Sequence, residues 1–152
     1  MKILDFLCPE AIVIDLKATD KKGVVAELVN ALAQAKKIKK PEEVAAVIME
    51  REKLGSTGIG QGVAIPHGKT DIVPQQIGAL GISSKGVEFN SLDGEPVNLV
   101  FLLCGPVDIA GQHLKALARI SRLFKDKFFR QALREARSVD EVVQIISKED
   151  AY

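Results

Sequence analysis

The 152-residue chain predicts an α/β fold, a single-domain layered arrangement over residues 1–152 with a mixed central sheet flanked by helices on both faces. Three observations carry that expectation. Strand-like runs and helical stripes interleave along the chain, which is the pattern of layered α/β domains. Residues 97–103 form a nearly unbroken apolar run, as in a strand covered on both faces. A chain near 150 residues buries about 68–70% of its unfolded surface, enough for one core without disulfides or metal.

Taken in order, Ala11 to Leu16 is a short β-branched run and reads as the first strand. Thr19-Asp20 offers a helix N-cap, and Val24, Val25, Leu28, Leu32 and Ala35 recur at helical spacing up to the basic Lys36-Lys37. Pro41 suits the first position of the next helix, with Glu42 and Glu43 where the dipole favours anions. Val44, Val47, Ile48 and Leu54 form its core side, and Gly55 ends it, which sets Arg51 in its last turn. Beyond a short apolar run at Val63 to Ile65, strands are expected over 77–83, 87–89 and 97–103, with turn chemistry at Ser84-Lys85-Gly86 and Leu92 to Pro96. The remainder is helical: Leu114, Leu117, Ala118, Ser121 and Phe124 give one stripe, and Phe128, Phe129, Ala132 and Leu133 another. Ser138 and Glu141 make a capping box before Val142, Val143 and Ile146.

Charge excludes some functions. With 21 Lys+Arg against 20 Asp+Glu there is no global attraction to nucleic acid or anionic membrane. Asp5 and Pro9 interrupt the stretch a secretory signal needs, and no apolar run is long enough to insert in a bilayer, so a cytoplasmic protein is expected. Cys8 and Cys104 lack the close pairing of a metal or redox motif and read as reduced thiols.

The chemistry gathers between residues 51 and 69. Gly55, Gly58, Gly60 and Gly62 crowd a loop in which Ser56, Thr57 and the peptide N–H groups offer donors to an anion. The glycines follow a helix and lead into a strand, so the dinucleotide and P-loop fingerprints do not apply. Only two histidines occur, His67 and His113, each within two residues of a glycine. A neutral imidazole presents one unprotonated nitrogen as a nucleophile when a hydrogen bond holds the other.

Arg51, Ser56-Thr57-Gly58-Ile59-Gly60 and Val63-Ala64-Ile65-Pro66-His67-Gly68-Lys69 together resemble the active-site block of the fructose/mannitol-type enzyme IIA domains, nitrogen-related branch included, of the phosphoenolpyruvate-dependent phosphotransferase system. Gln112-His113-Leu114-Lys115-Ala116-Leu117-Ala118-Arg119 is similar to that family's second histidine segment, and the likeness covers almost the whole chain. The resemblance implies that His67 accepts and donates a phosphoryl group at Nε2, with His113 against the transferring oxygens and Arg51 balancing their charge. Ser56, Thr57 and Gly58 would supply further phosphoryl contacts, and Lys69 is a weaker candidate. No cofactor is implied. The donor would be phosphorylated HPr or a paralogue, and the recipient a cysteine of an enzyme IIB feeding sugar uptake; as the 152 residues contain no IIB or IIC segment, that recipient is expected to be separate or absent. In the alternative, nitrogen-related reading, histidine phosphorylation switches the binding of a regulatory protein. A docking rim of Ile59, Val63 and Ile109 is expected around His67, shallow enough for another protein's phosphorylated residue to approach in line. Two competing chemistries are weaker. A metal on His67, His113, Asp71 and Asp108 lacks close ligand spacing, and a thiol hydrolase would need a reactive Cys104 at the end of an apolar strand.

Overall fold

Residues 97–105 form β6, the strand on which the sheet is assembled, and seven of the nine lie within the run read as doubly covered. The computed structural model describes residues 1–151; Tyr152, the last position of the expected domain, lies outside the described residues. The other strands are β1 (Leu7–Val13), β2 (Gly58–Gly60), β3 (Val63–Ala64), β4 (His67–Lys69) and β5 (Ile77–Val87). They pair in the order β1-β5-β6-β3-β2, with β4 following β3 along the same edge of β6. β1 runs parallel to β5, β3 and β4 run parallel to β6, and the β5–β6 and β2–β3 pairs are antiparallel, so the sheet is mixed.

Helices cover both faces. Alternation along β6 sends Val100, Leu102 and Cys104 into one core with α1 (Lys21–Gln34) and α2 (Pro41–Glu52). Leu99, Phe101 and Leu103 enter the opposite core with α3 (Ala110–Leu123), α4 (Lys127–Glu135) and α5 (Val139–Glu149). Asp20 caps α1 by accepting from Gly23 N at 2.8 Å, Pro41 opens α2, and the Ser138 hydroxyl caps α5. Asp150, 2% exposed, ties the helical layer to the chain's start, accepting from Ile3 N and from Arg119 of α3. No helix among the described residues is long and apolar enough to cross a membrane.

Several elements differ from the sequence reading. The first strand is Leu7–Val13, not 11–16: it is an edge strand with a register shift between Leu7 and Ile12, which accommodates Pro9 without loss of a central ladder bond. The strands expected at 77–83 and 87–89 are one strand, β5, whose ladder shifts register between Ile82 and Val87 where the Ser83 hydroxyl accepts from Gly86 N. Leu54 is 84% exposed and Phe128 76%, so neither is a core residue. In α3 the buried stripe is His113, Ala116, Ile120 and Leu123, one position back from the stripe expected through Leu114.

The glycine cluster is also put to another use. Instead of an open cradle it forms the β2–β3 hairpin, turned by Gln61 and Gly62 at φ 59° and 80°. Gly58 meets Ser91 so closely that an added Cβ would lie 2.3 Å from its Oγ and 3.1 Å from its Cα. Gly58→Ala should therefore cost about 1–3 kcal/mol in urea unfolding by overpacking this contact; an unchanged midpoint would show that the hairpin does not depend on it.

Candidate active site

His67 opens β4, opposite Leu103 of β6, and is half-buried. Its position is set by what precedes it. Ile65 N donates to Thr57 O at 3.0 Å, Pro66 has no N–H, and Pro66 O accepts from Leu103 N at 3.0 Å. The ring then folds back so that Nδ1 lies 2.8 Å from Ile65 O. A carbonyl oxygen only accepts, so Nδ1 carries the proton and Nε2 keeps its lone pair. Burial lowers the pKa of His67, the Ile65 carbonyl raises it in part, and the positive charge of Arg51 lowers it again, with smaller opposing effects of Glu52 and Lys69. The ring is thus kept neutral and nucleophilic near pH 7.

Arg51 reaches the site because α2 packs closely on β4. A Cβ on Gly68 would lie 3.1 Å from Val47 Cγ1 and 3.3 Å from Ile48 Cγ1, so the contact is already tight for glycine alone. In the last turn of α2, Arg51 Nη1 donates to Gly55 O at 3.0 Å, which fixes the guanidinium at the cleft. His113 comes from the other core, in the first turn of α3 and 4% exposed. Its ring centroid is 5.6 Å from that of His67 at an interplanar angle of 54°, and neither of its ring nitrogens has a hydrogen-bond partner. Burial, then the neighbouring His67 and Lys69, pushes its pKa down to about 4.

A cleft of about 380 Å³ joins these groups, lined by Val47, Arg51, His67, Gly68, Lys69, His113, Leu114 and Leu117. Its chemistry suits a small dianion. One imidazole offers a free lone pair, the second an unpartnered N–H, and Arg51 and the exposed Lys69 supply positive charge.

The remaining sequence candidates lie elsewhere. Ser56 Oγ donates to Phe89 O and accepts from Gly58 N, while Thr57 donates its N–H and hydroxyl to the carboxylate of Glu52. Ser56, Thr57 and Gly58 do not line the cleft, because the fold already uses their donors. Val63 is 1% exposed and belongs to the core, so it is not a rim residue. Ile59, 44% exposed, faces a separate depression shared with Leu92 and Phe124, and Ile109 lies over Gly105. The apolar border of the His67 cleft is Val47, Leu114 and Leu117, residues the sequence reading placed in the core. The periodicity of α3 contained the signal: a stripe through His113, Ala116, Ile120 and Leu123 is as regular as the one through Leu114 and turns the histidine inward. Cys104, wholly buried at the end of β6, has its pKa pushed up to about 12 by burial and offers no thiolate to a hydrolase. Cys8 and Cys104 are both free thiols. Asp71, considered as a metal ligand, accepts from Val107 N at 3.1 Å and braces the entry to α3.

A family model described as phosphoenolpyruvate-dependent sugar phosphotransferase system, EIIA 2, matches residues 5–149. A nitrogen regulatory protein of Bradyrhizobium diazoefficiens is 40% identical over 149 residues, covering 97% of this chain and 95% of that protein. A fructose-specific EIIABC component of Bacillus subtilis is 38% identical over 150 residues, 99% of this chain and 24% of that longer protein. The crystal structure of the nitrogen regulatory protein IIA-Ntr from Neisseria meningitidis aligns with a TM-score of 0.86 at 37% identity, covering 93% of this chain and 97% of that one.

The depressed pKa of His113 has a consequence for stability. Between its ordinary value of 6.5 and about 4, the unfolded chain binds a proton on this ring and the folded chain does not. Stability is therefore lost as pH falls through that window, and His67 adds to the loss in the same direction. Urea unfolding of His113→Gln should show a shallower decline from about pH 7 to about pH 4.5 than the wild-type chain; identical slopes would mean that the His113 ring titrates normally.

Proposed function

The chain belongs to the EIIA 2 family of the phosphoenolpyruvate-dependent sugar phosphotransferase system, and from that premise we propose that it carries a phosphoryl group on Nε2 of His67. The observation that carries this reading is the Nδ1–H bond to Ile65 O, which leaves Nε2 unprotonated within the cleft shared by Arg51 and His113. In the transfer step the lone pair of Nε2 attacks phosphorus as the P–N bond of a phosphorylated histidine on HPr or a paralogue breaks, and that bond's electrons return to the donor ring. The proton stays on Nδ1, donated to the Ile65 carbonyl, throughout. Arg51 balances the negative charge of the phosphoryl oxygens, His113 donates one hydrogen bond to them, and Lys69 adds charge at the mouth.

The recipient in this reading is the cysteine of an enzyme IIB, whose thiolate takes the phosphoryl group in the reverse attack. The similarity to a fructose-specific EIIABC component favours it. A second reading, in which the phosphorylated and free forms bind regulatory proteins, is favoured by the full-length similarity to nitrogen regulatory proteins. Both use the same site, and a cytoplasmic location suits both donor and recipient. Donor and recipient would seat on the apolar border of Val47, Leu114 and Leu117, of which Leu114 is 67% exposed without a partner in the fold.

Phosphorylation from phosphoenolpyruvate through enzyme I and HPr should give an acid-labile, base-stable label on wild-type protein and none on His67→Ala. Arg51→Lys and His113→Ala should still label, at rates about 100-fold lower, because each loses a donor to the developing charge. Leu114→Asp should raise the carrier concentration needed for half-maximal rate about 10-fold through lost apolar contact and repulsion of the phosphorylated donor. Label at wild-type rate on His67→Ala would refute the assignment, and transfer of that label to a purified IIB separates the sugar reading from the regulatory one.

A further inference from the structure

Glu52, the last residue of α2, is only 6% exposed and touches neither histidine through a direct hydrogen bond. Carboxylates are seldom buried unless paired, and its partners are specific. Lys21 Nζ lies 2.9 Å from Oε2, the same oxygen accepts from Thr57 N at 3.0 Å, and Oε1 accepts from the Thr57 hydroxyl. Lys21 is held in turn over the ring of the buried Phe89, 5.4 Å from its centroid.

Two paths leave this cluster, and each ends on a functional group. Thr57, fixed by Glu52, accepts on its carbonyl from Ile65 N at 3.0 Å, and the carbonyl of that same Ile65 accepts from His67 Nδ1 at 2.8 Å. The other path is the loop that Glu52 and Thr57 close between them. Within it Gly55 N donates to Glu52 O at 3.2 Å, and Gly55 O receives the Arg51 guanidinium at 3.0 Å. We propose that Glu52 is a positioning residue, whose buried carboxylate holds the 52–57 loop in the conformation that orients the His67 ring and anchors Arg51. Replacing a buried ion pair by apolar groups is often neutral for stability, so net stabilisation is a poor account of this one. Orientation is a better one, because both of its carboxylate oxygens bond Thr57, in the segment linking the two groups, and a misplacement near 1 Å can cost about 100-fold in rate. The effect on transfer rests on the phosphoryl-carrier reading; the effect on the ring does not.

The test is the nitrogen-15 spectrum of the His67 imidazole in the unphosphorylated full chain, which distinguishes the Nδ1–H from the Nε2–H tautomer. Wild type should show Nδ1–H alone. Glu52→Gln should show a mixture of the two tautomers, with carrier-dependent phosphorylation about 10-fold slower at an unchanged half-saturating carrier concentration. Thr57→Val, which keeps the backbone links and removes only the hydroxyl, should shift the ring the same way by less. Should Glu52→Gln fail to fold, Thr57→Val decides alone. A folded variant with the wild-type imidazole spectrum and transfer rate would overturn the proposal. If the wild-type chain takes no label, the carrier reading falls, and the spectra still uphold or overturn the role of Glu52.

Discussion

The hydrogen bond from His67 Nδ1 to the carbonyl of Ile65 is the constraint on which the rest of the site depends. It is short-range in sequence, yet it requires long-range structure. The carbonyl is aimed because β3 and β4 lie end to end along β6 with Pro66 between them, and because Ile65 N is already committed to Thr57. A break in a parallel edge thereby becomes a holder for one imidazole tautomer. With Nδ1 occupied, the remaining nitrogen is the only reactive atom the ring can offer, and the lowered pKa keeps it unprotonated.

Around that nucleophile the two cores contribute opposite services. The α1–α2 side brings positive charge: the close seat of α2 on Gly68 carries Arg51 to the cleft. The α3 side brings a neutral, dehydrated imidazole whose nitrogens have no partner in the fold. A buried polar group left in this condition costs free energy that an arriving acceptor recovers. Stability at this position is thus exchanged for readiness toward an anion, which is the usual direction of compromise at a functional site. The exposed Leu114 and the partly buried Leu117 on the same helix place an apolar surface beside the charge, a combination that suits a protein partner better than a free small anion.

How much of this was legible in the sequence depended on whether the signal was local. Arg51 at a helix end, Asp20 and Ser138 as caps, and the doubly covered run of β6 were readable because propensity and periodicity decide them. The pairing of His67 with His113 came from the family likeness of two separate blocks, not from spacing. The glycines announced unusual backbone but not its use: a hairpin of three- and two-residue strands is too short for a period, so it read as a cradle. In α3 two stripes of equal regularity coexist, and only packing on Leu99, Phe101 and Leu103 selects the one that buries His113 and exposes Leu114. Glu52 gave no signal at all, since a glutamate in a helix's last turn is ordinarily solvated and its burial is decided by Lys21 on another helix.

Every contact in the site therefore bears on which imidazole nitrogen does the chemistry. Nitrogen–phosphorus coupling in the phosphorylated, nitrogen-15-labelled protein reads this directly. Phosphorus bonded to Nε2 of His67, with the proton still on Nδ1, is the result the geometry predicts. Phosphorus on Nδ1, or on a residue other than His67, would contradict it.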